Sequence, residues 1–124
     1  MSVSVGTDLI EIERIRRALV RYARFRERCF TEAERAYCDS RPNPAQSYAG
    51  RFAAKEAAMK ALGTGWRRGI RWVDLQVVRE QSGRPTLALA GEAAKIAAGL
   101  GVKRISLSIT HTEAQALAQV IFES

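Results

Sequence analysis

Tyr48-Ala49-Gly50-Arg51-Phe52-Ala53-Ala54-Lys55-Glu56-Ala57-Ala58-Met59-Lys60-Ala61-Leu62 is the stretch on which the fold turns. Tyr48, Phe52, Met59 and Leu62 recur at helical spacing with alanine between them, so a helix is predicted from about Ala45 to Leu62. Gly63, suited to a left-handed cap, ends it. At 100° per residue, Lys55 and Glu56 both fall within about 60° of Phe52, which puts two charges on or beside an apolar face. An unpaired charge buried there costs roughly several kcal/mol, so the two need each other, a metal or a ligand. The competing reading is a plain Glu56 to Lys60 pair one turn apart, worth about 0.2 to 0.5 kcal/mol. Spacing alone does not separate them.

Working outward, Arg41-Pro42-Asn43-Pro44 breaks helical structure before this segment. Thr31-Glu32-Ala33-Glu34 has the form of a capping box and predicts a short helix through about Cys38. Ile12, Ile15, Leu19 and Tyr22 predict another from about Glu11 to Glu27, with Arg14, Arg16, Arg17, Arg21, Arg24, Arg26 and Arg28 largely outside its apolar stripe. Ser2 to Asp8 alternates as a half-buried strand, with Val3, Val5 and Thr7 on one face and Ser4, Gly6 and Asp8 on the other. Asp8 then either caps the following helix, with Glu11 three residues on, or belongs to a site.

Downstream, Leu75 to Arg79 and Thr86 to Leu89 read as strands joined by the turn Ser82-Gly83-Arg84-Pro85. Gly91 to Leu100 reads as a short helix, and Arg104 to Thr110 and Ala116 to Phe122 as a second hairpin turning at His111-Thr112-Glu113. Strands that meet through turns, with helices between them, predict an α+β fold: a mostly antiparallel sheet with the long helix packed on it. No repeat or linker divides residues 1–124, and a single domain is expected.

The chain has 124 residues, 47% of them hydrophobic, enough for a core without disulfides. Cys29 and Cys38 fit no metal spacing and read as small buried hydrophobes. No apolar run approaches the roughly 20 residues of a membrane span and no signal peptide opens the chain, so a soluble, cytoplasmic protein is expected. The net charge of +7 is concentrated in the arginine-rich helix, which is either a solvated face or a surface for an acidic partner.

His111, the only histidine, lies on the strand face of Ile105, Leu107 and Ile109, where it is either packed or functional. Asp8, Glu56, nearby Lys and Arg, and one His are what Mg²⁺-assisted chemistry on a pyrophosphate needs, because Mg²⁺ takes one or two carboxylates plus phosphates and waters. There is no P-loop and no dinucleotide fingerprint. A nucleic-acid module is disfavoured by an aromatic content of 7% and the lack of any recognition signature. A metal-dependent phosphodiesterase is disfavoured by the spacing of Glu56 and Lys60.

The chain resembles the holo-acyl-carrier-protein synthases, the short form of 4′-phosphopantetheinyl transferase. The resemblance runs through Val5-Gly6-Thr7-Asp8-Leu9-Ile10-Glu11 with Arg14, Phe30-Thr31 with Glu34, Ala49 to Ala57, Lys60 to Gly65, Ser82 to Pro85 and Ser108-Ile109-Thr110-His111-Thr112. It implies that fold, and transfer of 4′-phosphopantetheine from coenzyme A to a serine of apo-acyl carrier protein with release of adenosine 3′,5′-bisphosphate. It implies Mg²⁺ at Asp8 and Glu56, with Lys60 stabilising phosphoryl charge and the serine proton going to Glu56, a metal-bound water or His111. By position, Arg51 and His111 resemble phosphate contacts, and Thr64, Gly65, Arg84 and Pro85 the coenzyme cleft. Arg14, Arg21 and Arg24 resemble the docking face for the acidic carrier, and the family's trimers imply sites between subunits. One departure concerns the basic cluster common before the long helix, where this chain has only Arg41 ahead of Pro42-Asn43-Pro44.

Overall fold

The computed structural model describes residues 2–64 and 69–124. Its elements run β1 Val3–Glu11, α1 Ile12–Arg21, α2 Phe25–Cys29, α3 Glu32–Asp39 and α4 Pro44–Leu62. A 3₁₀ turn at Trp72–Asp74 then leads into β2 Leu75–Arg79, β3 Pro85–Leu89, α5 Gly91–Gly99, β4 Arg104–His111 and β5 Gln115–Glu123. All strand pairs are antiparallel. β5 lies between β1 and β4 in one sheet, and β2 and β3 form a separate hairpin. This is the α+β arrangement expected, with the long helix laid across the sheet.

α4 starts at Pro44, whose missing N–H would have had no partner in a first turn, and the Asn43 side chain accepts from the Gln46 amide at 3.4 Å. Gly63 ends it at φ 77°, a left-handed cap. The helix is buried on nearly every side, because alanines face the sheet while Tyr48, Phe52 and Met59 fill the opposite layer. Phe25, Phe30, Tyr48, Phe52 and Trp72 stack there with ring centroids 4.7 to 5.9 Å apart.

Two features differ from the sequence-based expectation. The helix predicted from Glu11 to Glu27 is two helices, broken where Tyr22 turns extended. The apolar period continues through the break, so local pattern does not mark it; the turn places Phe25 against Phe30 and Phe52.

β1 runs on to Glu11 and buries its other face. Val3, Val5 and Leu9 are 59%, 51% and 55% exposed, whereas Gly6 and Ile10 are buried. Gly6 supplies the reason: a Cβ there would lie 1.8 Å from the Ala57 carbonyl oxygen, so only glycine lets the strand cross α4 this closely. Asp8 shares that inner face with Ser4, whose hydroxyl donates to the Ala61 carbonyl on the far side of Gly6.

Candidate active site

Lys55 and Glu56 leave α4 in different directions. Lys55 is fully buried, and its Nζ donates to Glu34 Oε1 at 2.8 Å and to the Trp72 and Leu75 carbonyls at 3.1 and 3.0 Å. All three of its protons are used. Glu34 is equally buried: Oε1 also accepts the Thr31 amide at 2.9 Å, closing the capping box of α3, and Oε2 accepts the Val77 amide at 2.9 Å. Burial pulls the Lys55 pKa down, and the Glu34 charge opposes that pull. The network pins α3, α4, the 3₁₀ turn and β2 together. Lys55 is therefore a fold residue.

Glu56 is half-buried and makes no hydrogen bond or ion pair among the described residues. Burial and then the charge of Asp8 raise its carboxyl pKa, while Lys60 and Arg14 act the other way. That mutual influence places Asp8, Glu56, Lys60 and Arg14 in one cluster where β1, α1 and α4 meet. Asp8 is not a helix cap: the N-cap of α1 is Glu11, and Asp8 Oδ1 instead accepts from Lys60 Nζ at 3.2 Å. Lys60 also donates to the Thr7 carbonyl at 2.9 Å, so the lysine is tied to β1 and not to Glu56.

About one and a half turns earlier on α4, Arg51 opens onto a cleft of about 390 Å³. Its walls include Tyr37, Arg41, Arg79, Pro85 and His111. Gly50 lets α4 approach β4 here, since a Cβ would meet the Ile109 methyl at 3.0 Å. His111 ends β4 at the cleft mouth, exposed rather than packed. Cationic walls suit a phosphate-bearing substrate.

Residues 4–120 match the family model of the 4′-phosphopantetheinyl transferase superfamily. The chain belongs to that superfamily. It is 52% identical, over the whole of both chains, to a holo-[acyl-carrier-protein] synthase of Solibacter usitatus. Its fold matches the holo-[acyl-carrier-protein] synthase (AcpS) of Neisseria meningitidis with a TM-score of 0.86, at 32% identity over 98% of each chain. A Chronobacterium ammoniagenes ACPS–CoA complex matches with a TM-score of 0.85, at 30% identity over 98% of this chain and 97% of that one. The chain is thus a transferase of the phosphopantetheinyl class, and the acid cluster and cationic cleft are its candidate site.

A second groove carries Arg14, Arg17 and Arg21 of α1 above Tyr22, Phe25 and Phe52. Arg14 and Arg21 thus share a surface, whereas Arg24 lies beyond the break, at the start of α2. In the cleft, Pro85 lines the wall, while the exposed Arg84 stands on the turn outside it. Thr64 is buried just after α4, and Gly65 lies outside the described residues. Tyr37 and Arg79 escaped the sequence reading, because nothing local shows that α3 and the end of β2 converge on Arg51. Among the described residues no helix is long and apolar enough to cross a membrane.

Proposed function

We propose that this protein transfers 4′-phosphopantetheine from coenzyme A to a serine of an apo-acyl carrier protein in the cytoplasm, with Mg²⁺ held by Asp8 and Glu56. The observation that carries the reading is the partly buried pair of acids with Lys60 at Asp8; Glu56 stands on the same helix as the earlier residue Arg51, which lines a cleft walled by arginines. The donor set fits a hard cation: two like charges drawn close enough for Asp8 to raise Glu56, with oxygen donors only. Among the described residues no cluster of three metal-binding side chains occurs, so the rest of the ion's shell would come from phosphate and water. When bound, the ion supplies positive charge against the pyrophosphate and its departing half.

The remaining work falls to side chains of this chain. The serine Oγ forms a bond to the pantetheine-side phosphorus, the P–O bond to the other phosphate breaks, and adenosine 3′,5′-bisphosphate leaves. Lys60, held by Thr7 and Asp8, keeps a fixed ammonium beside the charge that gathers on the phosphoryl oxygens. Arg51 and His111 orient the coenzyme in the cleft, with Thr64, Gly65, Arg84 and Pro85 around it. Glu56 takes the serine proton. It lies one turn beyond Phe52, a wall of the arginine groove, and feels the charge of Arg14 from the same groove.

That groove, with Arg14 and Arg21 at its centre and Arg24 at its edge, receives the acidic carrier, because complementary charge speeds encounter and fixes orientation. The outer face of the sheet packs against further copies of the chain in a trimer. Val3, Val5 and Leu9 stand exposed on β1, with Ile121 and Leu117 of β5 opposite the last two, and such an apolar strip suits a partner.

The test is incubation with Mg²⁺, coenzyme A and several apo-carriers, read by mass spectrometry. Addition of the phosphopantetheine mass is expected, and its absence from every carrier would refute the proposal. In the same assay, Arg14→Glu with Arg21→Glu should raise KM for carrier about 10-fold and leave that for coenzyme A near its original value. Equal changes in both would remove the docking assignment.

A further inference from the structure

α2 is too short to hold its own place. It has five residues, Phe25–Cys29, no side chain caps its first turn, and extended backbone stands at Tyr22 before it and at Phe30 after it. Isolated helices below about 12 residues are marginal in water, so ties to other elements decide where this one lies. Some of those ties are aromatic: the Phe25 ring centroid lies 5.9 Å from that of Phe30 and 5.8 Å from that of Phe52. The next residue, Arg26, makes a polar one.

Arg26, Asp39 and Tyr48 close a ring of hydrogen bonds. Arg26 Nε donates to the Tyr48 hydroxyl at 3.2 Å, that hydroxyl donates to Asp39 Oδ1 at 2.8 Å, and Arg26 Nη2 donates to Asp39 Oδ2. The Arg26 guanidinium also lies 5.7 Å from the centroid of the Tyr48 ring. Tyr48 is buried, and burial, followed by the bond to Asp39, pushes its hydroxyl up to about 12, so it keeps the proton it gives to Asp39. The three members come from α2, from the last residue of α3 and from the first half of α4, so the ring ties the short helix to two longer ones. None of them lines the arginine groove or the cationic cleft. What the ring places is their neighbour Phe25, half-buried, which does line the groove.

We infer that Arg26, Asp39 and Tyr48 are positioning residues: their ring holds α2 so that Phe25 stands in the wall of the arginine groove, and through Phe25 it sets the affinity for the acidic carrier. The inference rests on the carrier-docking reading above. Long-range charge from Arg14, Arg17 and Arg21 steers a carrier to the groove, while the aromatic side chains there decide how closely it seats. A wall carried on a five-residue helix is only as well placed as the helix. Asp39 gives the inference a sign. Charge alone says that an acid near a face meant for an acidic protein repels it, so removing that acid would help the carrier bind. The ring says that removing it loosens α2 and harms binding.

The experiment measures KM for an apo-carrier and for coenzyme A in the wild type, Asp39→Asn, Arg26→Gln and the double variant, each also in a Phe25→Ala background. Asp39→Asn and Arg26→Gln should each raise KM for the carrier about 5-fold, with kcat and KM for coenzyme A near the wild-type values. The double variant should be no more than about 2-fold worse than either single one, because both break the same ring. Beside Phe25→Ala, which itself weakens the carrier, neither substitution should add a further loss. A carrier KM in Asp39→Asn at or below that of the wild type would overturn the inference. So would losses that multiply in the double variant, that persist in full without Phe25, or that fall on both substrates alike. Calorimetric titration of the apo-carrier without coenzyme A separates the two readings. A carrier bound with Asp39-dependent affinity but never loaded upholds the ring and sinks the transferase proposal. A carrier loaded with a KM that ignores Asp39 does the reverse, and a wild type that neither binds nor loads any carrier overturns both.

Discussion

Lys55 and Glu56 are consecutive residues on one helix, and they meet opposite surroundings. Lys55 points into the layer between α3, the 3₁₀ turn and β2, where every proton it carries has an acceptor. Glu56, about 100° further round, feels the charges of Asp8, Lys60 and Arg14 and bonds to none of them. A buried charge with all its hydrogen bonds made holds structure. A half-buried acid whose pKa is raised by burial and then by another acid is poised for a cation or a proton. The difference between fold and chemistry is thus set by what each side chain is left without.

The largest effect expected from breaking this contrast is on stability. Lys55→Ala leaves Glu34 charged and buried with no cation, and should lower the urea-unfolding free energy by about 3 to 5 kcal/mol. A loss under about 1 kcal/mol would mean the pair is not what joins α3 to α4. The double variant Glu34→Met/Lys55→Met sharpens the point. Buried ion pairs can often be exchanged for apolar residues at no cost, but here the Thr31 and Val77 amides and the Trp72 and Leu75 carbonyls would lose partners. The double variant should therefore stay roughly 2 kcal/mol or more below the wild type. Full recovery would show that those backbone ties contribute nothing.

A smaller effect comes from the two thiols on the Lys55 side. Burial pushes Cys29 and Cys38 up to about 11 from an ordinary 9.0, against the lowering influence of Lys55 on Cys29 and Arg51 on Cys38. With folded pKa values above the unfolded ones, the unfolded chain releases those protons first. Their contribution is complete below about pH 9 and is lost as pH rises from 9 towards 11. Urea midpoints should be level up to about pH 8.5 and then fall, and Cys29→Ala/Cys38→Ala should reduce the slope. A midpoint that rises over that interval would contradict the assignment.

Much of this was readable before any coordinates. The capping box of Thr31 and Glu34, the left-handed Gly63 and the turn ahead of Pro85 are local devices, and each stands where its residues predict. What failed to read locally depends on distant partners. Alternation in β1 makes the face of Val3, Val5 and Leu9 the more apolar one, yet the face of Gly6 is buried, because only there can the strand meet the Ala57 carbonyl of α4. The partner of Lys55 is Glu34, 21 residues earlier, already identified as a cap and so easily taken as explained. The acids Asp8 and Glu56 are candidates by residue type, and only the resemblance makes them a metal pair. The convergence of Arg41, Arg51 and Arg79 on the Tyr37 ring is not legible locally, since they share no spacing that brings them together.

The contrast is tested most directly by one protein, Glu56→Gln, assayed twice: its urea-unfolding midpoint, and the mass of an apo-carrier incubated with it, Mg²⁺ and coenzyme A. The account predicts a midpoint at or above that of the wild type, because a partly desolvated carboxylate beside Asp8 has been removed, with transfer slowed at least about 1,000-fold. A variant that unfolds as readily as Lys55→Ala, or one that loads the carrier at the wild-type rate, would contradict it.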